Sequence, residues 1–171
     1  MAVDMFMIIK DVKGESKDAV YKDDIDVLAW SWGLSQSGSF HTGAGGGAGK
    51  ANIQDLSFTK WMDKSSPVLM QKCVQGDHID TATLVVRKAG TNPLEYFNIT
   101  MEKVMVTSVS TGGSGGEDKL TENVTLNFAK VRVEYQPQSD KGAKEGGAVA
   151  FPWNIEANDP SGPAKAITKG K

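Results

Sequence analysis

The chain has 171 residues, about one domain at ~150 residues per domain, and its 19 basic and 21 acidic side chains leave a net charge of −2. Only two of the basic residues are arginines, Arg87 and Arg132, which argues against a nucleic-acid binder with a basic face and arginine forks. A mean hydropathy of −0.32 and 39% hydrophobic residues suit a globular chain with a core rather than a disordered one. No apolar run reaches the length of about 18 residues that a membrane-spanning helix needs, so no membrane insertion is expected. The first ten residues carry Asp4, no basic start and no small-residue cleavage site, so a cleavable secretory signal is not expected. Cys73 is the single cysteine, which excludes an intrachain disulfide.

Strand signals dominate in chain order. Val3 to Ile9 is a short apolar run with β-branched residues. Ile25 to Gln36 alternates: Leu28, Trp30, Trp32 and Leu34 share one face, expected in the core, and Val27, Ala29, Ser31 and Gly33 share the other. The small polar members of that second face suit either a cavity lining or a close packing contact. Ile53 to Trp61 sets Leu56 and Phe58 on one face, and Thr81 to Ala89 is a further strand. The spacing predicts one helix, capped at Ser66, with Pro67 at its first position, a stop at Gly76, and a stripe of Leu69, Met70, Cys73 and Val74. Leu94 to Ser110 is long enough to bend or to serve two sheets. In Leu120 to Tyr135 the apolar phase slips between Phe128 and Val131, which predicts a bulge or corner near Ala129 and Lys130. Asn98-Ile99-Thr100 and Asn123-Val124-Thr125 match the glycosylation pattern but read as strand sequence. Phe151 to Ile155 is a hydrophobic cluster expected to dock. The expected division is a β-barrel domain over 1–157 and a mobile C-terminal tail over 158–171, rich in Gly, Pro, Lys and Ala. The fold class is mainly β: a compact β-barrel of two packed antiparallel sheets with one flanking α-helix.

The sequence offers little chemistry. His41 sits in a glycine-rich loop and His78 in a turn, neither at metal-ligand spacing from a second His or Cys. Cys73 on a helix stripe reads as a small core residue. Residues 43–50 suggest a phosphate loop, but Ala44 and Ala51 occupy its required Gly and Ser/Thr positions. A strand rather than a helix follows, so no helix N-terminus is available for phosphate. No catalytic residue, cofactor or metal is therefore assigned, and the chain reads as a non-enzyme. Seven glycines between Gly33 and Gly49 suit either an idle loop or an arm that orders against another subunit.

At Val27-Leu28-Ala29-Trp30-Ser31-Trp32-Gly33 the chain resembles the haemolysin co-regulated protein (Hcp) family, the tube subunit of the bacterial type VI secretion system. The resemblance continues through Ile53 to Lys60, Arg87 to Gly90, Val109 to Asp118, Leu120 to Phe128 and Trp153 to Ile155. It runs from Met1 to about Ile155 and leaves the tail without an assigned role. It implies a structural subunit forming hexameric rings that stack into a tube, with spike, sheath and baseplate components as partners. It also implies effector proteins carried in the ring lumen, no nucleic-acid partner, and a cytoplasmic stage followed by secretion without a signal peptide to the extracellular space or a target cell. By position, Phe40, His41, Gly43, Gly45, Gly46 and Gly47 are the expected ring-stacking contacts, and Ser31 the lumen and cargo residue. The alternatives are a monomeric β-barrel that binds a small ligand and a hydrolase using His41 or His78.

Overall fold

A two-residue period builds most of the molecule. Leu56, Phe58 and Lys60 are buried along one strand while Ser57, Thr59 and Trp61 between them are not, as alternating side chains on a half-buried sheet require. A computed structural model of the chain describes residues 2–42, 47 and 49–170. Its strands are β1 (Val3–Ile9), β2 (Ile25–Ser31), β3 (Leu34–Ser35), β4 (Asn52–Ile53), β5 (Leu56–Trp61), β6 (His78–Lys88), β7 (Glu95–Gly112), β8 (Thr121–Tyr135) and β9 (Val149–Asn154). One helix, α1 (Ser65–Gln75), follows β5 and lies against β7.

The strands run in the order β5-β2-β1-β6-β7-β8, and β5 pairs back onto β8 to close a six-stranded barrel. β9 extends one wall beyond β8, and β3 with β4 forms a separate ribbon. Every pairing is antiparallel. The long strands serve both walls. Residues 121–126 of β8 pair with β5 and residues 130–135 with β9, while β7 flanks it throughout. The corner falls where the apolar phase of β8 changes, with Phe128 and Val131 both buried. Two features make it: Lys103, opposite on β7, has φ 53, and the Ala129 carbonyl turns out to accept the Ile155 N–H at 2.8 Å. The register shift itself lies in β7, between Val106 and Ser108.

The expected tryptophan face of β2 is corrected by a register shift between Val27 and Ala29. Ile25 and Val27 are buried, Leu28 and Leu34 are exposed, and Trp30 and Trp32 pack against the core from beyond the irregularity. The helix also differs at its start. It begins at Ser65, where the backbone N–H bonds to Asp63 Oδ1 at 2.9 Å, and Ser66 turns inward instead of capping. Gly76 ends it as expected, with φ 67 and ψ 29, a left-handed conformation that suits glycine. Its buried face is Ser65, Ser66 and Leu69, with Cys73 half-buried, whereas Met70 and Val74 (88% exposed) face outward. The helix rests on the barrel along a narrower line than four apolar residues suggested.

Two polar clusters hold the barrel together. At the seam, Lys60 and Glu122 are paired in register between β5 and β8, and both are fully buried. The Lys60 ammonium lies 2.5 Å from Glu122, 3.0 Å from Asp63 and 3.0 Å from Ser66 Oγ, so it ties the seam to the start of α1. Outside the barrel, Tyr21 stacks on Phe6 (centroids 4.7 Å apart), with the Arg87 guanidinium over both rings. Arg87 is held by Asp4 and Asp18. Burial pushes the Asp18 carboxyl up, but Arg87 and the Tyr21 and Val20 N–H groups outweigh it and hold that carboxyl below its ordinary value. Residues 159–170, read from composition as a mobile tail, instead lie along the outer wall, with Pro163 buried. Their partners are distant in sequence, which composition does not reveal.

Lys60→Met should destabilise the protein by about 3–5 kcal/mol in denaturant unfolding, because it leaves the Glu122 carboxylate buried and unpaired. Lys60→Met with Glu122→Leu should recover much of that loss. Asp18→Asn should lower stability at neutral pH. A carboxyl with a depressed folded-state pKa stabilises above its unfolded value near ~3.9 and loses that contribution as pH falls through the folded value. The wild-type and Asp18→Asn curves, followed by thermal melts against pH, should therefore begin to approach each other as pH falls below about 4 and meet only below the folded-state value.

Candidate functional site

The wall made by β2, β5, β8 and the second half of β7 turns a row of small polar side chains outward. Across it Ser31 pairs with Ser57, Ser57 with Thr125, and Thr125 with Ser108. One step along, Ala29 pairs with Thr59, Thr59 with Asn123, and Asn123 with Ser110. These positions alternate with Phe58, Val124 and Leu126, which fill the core on the other side. Neither row contains a charged side chain. The groups bond to one another across strands: Ser57 Oγ and Thr125 Oγ1 are 3.1 Å apart, and the Thr59 hydroxyl donates to Asn123 Oδ1 at 2.6 Å. At the border Asp55 accepts from the Thr107 hydroxyl at 3.0 Å and the Asn127 amide at 2.8 Å, which fixes its carboxylate beside the rows.

Both edges of this wall are open. β1 meets β2 only at Ile25 and Asp26, so β2 from Leu28 onward pairs with β5 alone. β6 meets β7 only up to Met105, so the rest of β7 pairs with β8 alone. Unpaired strand edges present N–H and C=O groups that another chain can pair with.

Next to the wall stands an arm. β3 and β4 pair Leu34 with Ile53 and Ser35 with Asn52, and Trp32 Nε1 donates to the Gln54 carbonyl at 2.9 Å at its base. Its loop carries a 3-10 turn at Phe40–Thr42, and the Phe40 ring is 85% exposed. Ser39 closes the loop by bonding the Gly47 N–H and carbonyl at 3.0 and 2.8 Å. Of the expected stacking contacts, Phe40, His41 and Gly47 lie exposed on this arm, while Gly43, Gly45 and Gly46 lie outside the described residues. Ser31 lies apart from them, on the polar wall.

The neighbours of Ser31 were missed in the sequence, although the signal was present. Ser57-x-Thr59, Ser108-x-Ser110 and Asn123-x-Thr125 each place two small polar residues two apart, on one face of a strand. Asn123 and Thr125, within a glycosylation-like triplet, are two of these wall residues. His78 is the exposed first residue of β6. Among the described residues no cluster of His, Cys, Asp and Glu could hold a metal ion, and no helix is long and apolar enough to cross a membrane.

The fold therefore defines a closed, mainly β barrel with one flanking helix, an appended arm and a flat polar wall. The model of the family described as type VI secretion system effector, Hcp, matches residues 6–135. The protein hcp1 of Pseudomonas aeruginosa is 65% identical over 159 residues, covering 92% of this chain and 98% of that one. The crystal structure of Hcp1 from Salmonella typhimurium is 34% identical with a TM-score of 0.75, covering 93% and 99% of the two chains. A structure described as a type six secretion system protein reaches a TM-score of 0.86 at 30% identity, over 92% and 99%. This chain belongs to the Hcp family of type VI secretion proteins.

Proposed function

We propose that the chain is the structural subunit of a type VI secretion tube. Copies join edge to edge into hexameric rings, the rings stack, and the polar wall faces the lumen. The observation that carries this reading is the wall itself, an uncharged hydroxyl and amide surface on a sheet with both edges unpaired. Strand edges at opposite sides of one sheet are complementary in kind, so joining the two around an axis closes a ring and removes both edges. A surface of small neutral polar groups makes no strong demand on a partner's charge, which suits a lumen that accommodates different effector proteins. The arm beside the wall, tipped by an exposed aromatic ring, is the contact to the next ring.

In this reading spike, sheath and baseplate components are the tube's partners, and the subunit passes from the cytoplasm to the extracellular space or a target cell by firing. It acts without catalysis, cofactor, nucleic acid or membrane insertion. The competing reading, a monomeric small-ligand binder, needs room inside the barrel. Leu56, Phe58, Leu84, Ile99, Met101 and Leu126 fill that interior and are fully buried.

Negative-stain micrographs of the purified protein should show rings. A strict monomer at every concentration would rule the assembly out. Ser31→Trp should keep the rings and reduce retention of co-expressed effectors, and loss of the ring would place Ser31 at a subunit seam instead. Deleting residues 43–49 should leave folding and single rings intact while weakening stacking, since surface-loop changes cost little in stability. Sedimentation of tubes against rings checks it, and unchanged tube formation would remove the arm from the stacking contact.

A further inference from the structure

The opposite wall poses a problem that its own strands do not answer. Ile8, Thr83, Thr100 and Arg132 form one outward row across β1, β6, β7 and β8, and Phe6, Val85, Asn98 and Glu134 form the next. Polar residues on the outer face of an antiparallel sheet are normally solvated. Here Thr83 is 1% and Thr100 0% exposed. Six consecutive residues of β6, Ala82 to Arg87, are buried, which requires a cover on both faces.

Over Val85 and Arg87 the cover is Tyr21 and Asp18 of the loop between β1 and β2, and over the Thr83–Thr100 row it is the segment 159–170. It turns back after β9, where Asn154 and Asp159 exchange backbone hydrogen bonds. Gly162 then passes so close that a Cβ would sit 2.3 Å from the Trp153 nitrogen and 2.7 Å from the Val131 carbonyl, room that only glycine leaves. Three contacts beyond it engage main-chain groups of the segment. Arg132 donates to the Pro163 carbonyl at 3.2 Å, Thr100 Oγ1 accepts the Ile167 N–H at 3.2 Å, and the Tyr21 hydroxyl oxygen accepts the Gly170 N–H at 3.3 Å. The fourth is made by a side chain: the Lys169 ammonium pairs with Asp24, whose carboxylate is 4% exposed. Tyr21 is itself buried and donates its hydroxyl to Glu95, so its oxygen is held in place for the strap.

A groove reads a peptide through main-chain bonds together with side-chain contacts that select residue type. Here the selecting contact is the ammonium of the part-exposed Lys169 on the buried Asp24 carboxylate. We propose that the outer wall is a lysine-reading peptide groove, occupied in cis by residues 163–170 as a strap latched through Lys169 and Asp24. The strap joins β8, β7 and the loop between β1 and β2, and it withholds Thr83, Thr100 and Arg132 from any outside partner. Opening leaves the Asp24 carboxylate without its ammonium, so the latch governs release. The groove lies on the wall opposite the proposed lumen, and its test does not depend on ring formation.

Hydrogen exchange on the full-length protein tests the proposal. At low salt the Ile167 and Gly170 amides should exchange at least ~10-fold more slowly than in a free peptide of residues 159–170. Lys169→Ala should bring both close to the free-peptide rate while β6 and β7 amides stay protected. Adding the wild-type peptide in excess to the Lys169→Ala protein should then protect the peptide's own Ile167 amide, and a peptide carrying the same Lys169→Ala change should gain no protection. Free-peptide rates in the wild-type protein would overturn the strap. Unlatching that exposes β6 and β7 equally would overturn a separable latch, and equal capture of both peptides would overturn the lysine reading.

Discussion

The barrel closes at one seam, and a buried ion pair sits in that seam. Lys60 on β5 and Glu122 on β8 face each other in register, both without solvent exposure. Two charges removed from water are costly unless each finds its partner and further hydrogen bonds. The cost therefore falls on every arrangement in which β5 and β8 slip by a residue or fail to meet. Ser66 and Asp63 complete the contacts of the Lys60 ammonium, so the same cluster that sets the strand register also anchors the first turn of α1. Closure, register and helix placement follow from one group of four side chains.

The closed barrel has two outward faces with opposite treatments. On one, hydroxyls and amides bond sideways to each other and remain open to solvent, on a wall with two free edges. On the other, a segment of the same chain lies across the strands and buries their threonines. Apart from the Lys60–Glu122 pair, the interior is filled with apolar side chains, and walls, edges and the arm are the exposed surfaces.

Much of the fold was legible from local pattern. The position of β1, the Gly76 stop and the corner near Ala129 follow from two rules that need no tertiary information: strand side chains alternate, and glycine alone readily adopts the left-handed turn. The Trp30–Trp32 segment and the strands after it also carry the family resemblance. Of the candidate site, Ser31 and the arm were legible, but the row across the wall was not. Ser57, Thr125 and Ser108 adjoin Ser31 only once strand order and register are known.

Amino-acid pattern was enough to locate β1, β5, β7 and β8 and the end of the helix. Backbone geometry fixes those properties over a few residues. Tertiary structure alone decided that Lys60 is buried, that Val74 is exposed, that Val27 rather than Leu28 enters the core, and that the tail lies on Thr100, Arg132, Asp24 and Tyr21. Each of these depends on which distant segment arrives alongside, and a period of two or of 3.6 residues carries no record of that neighbour.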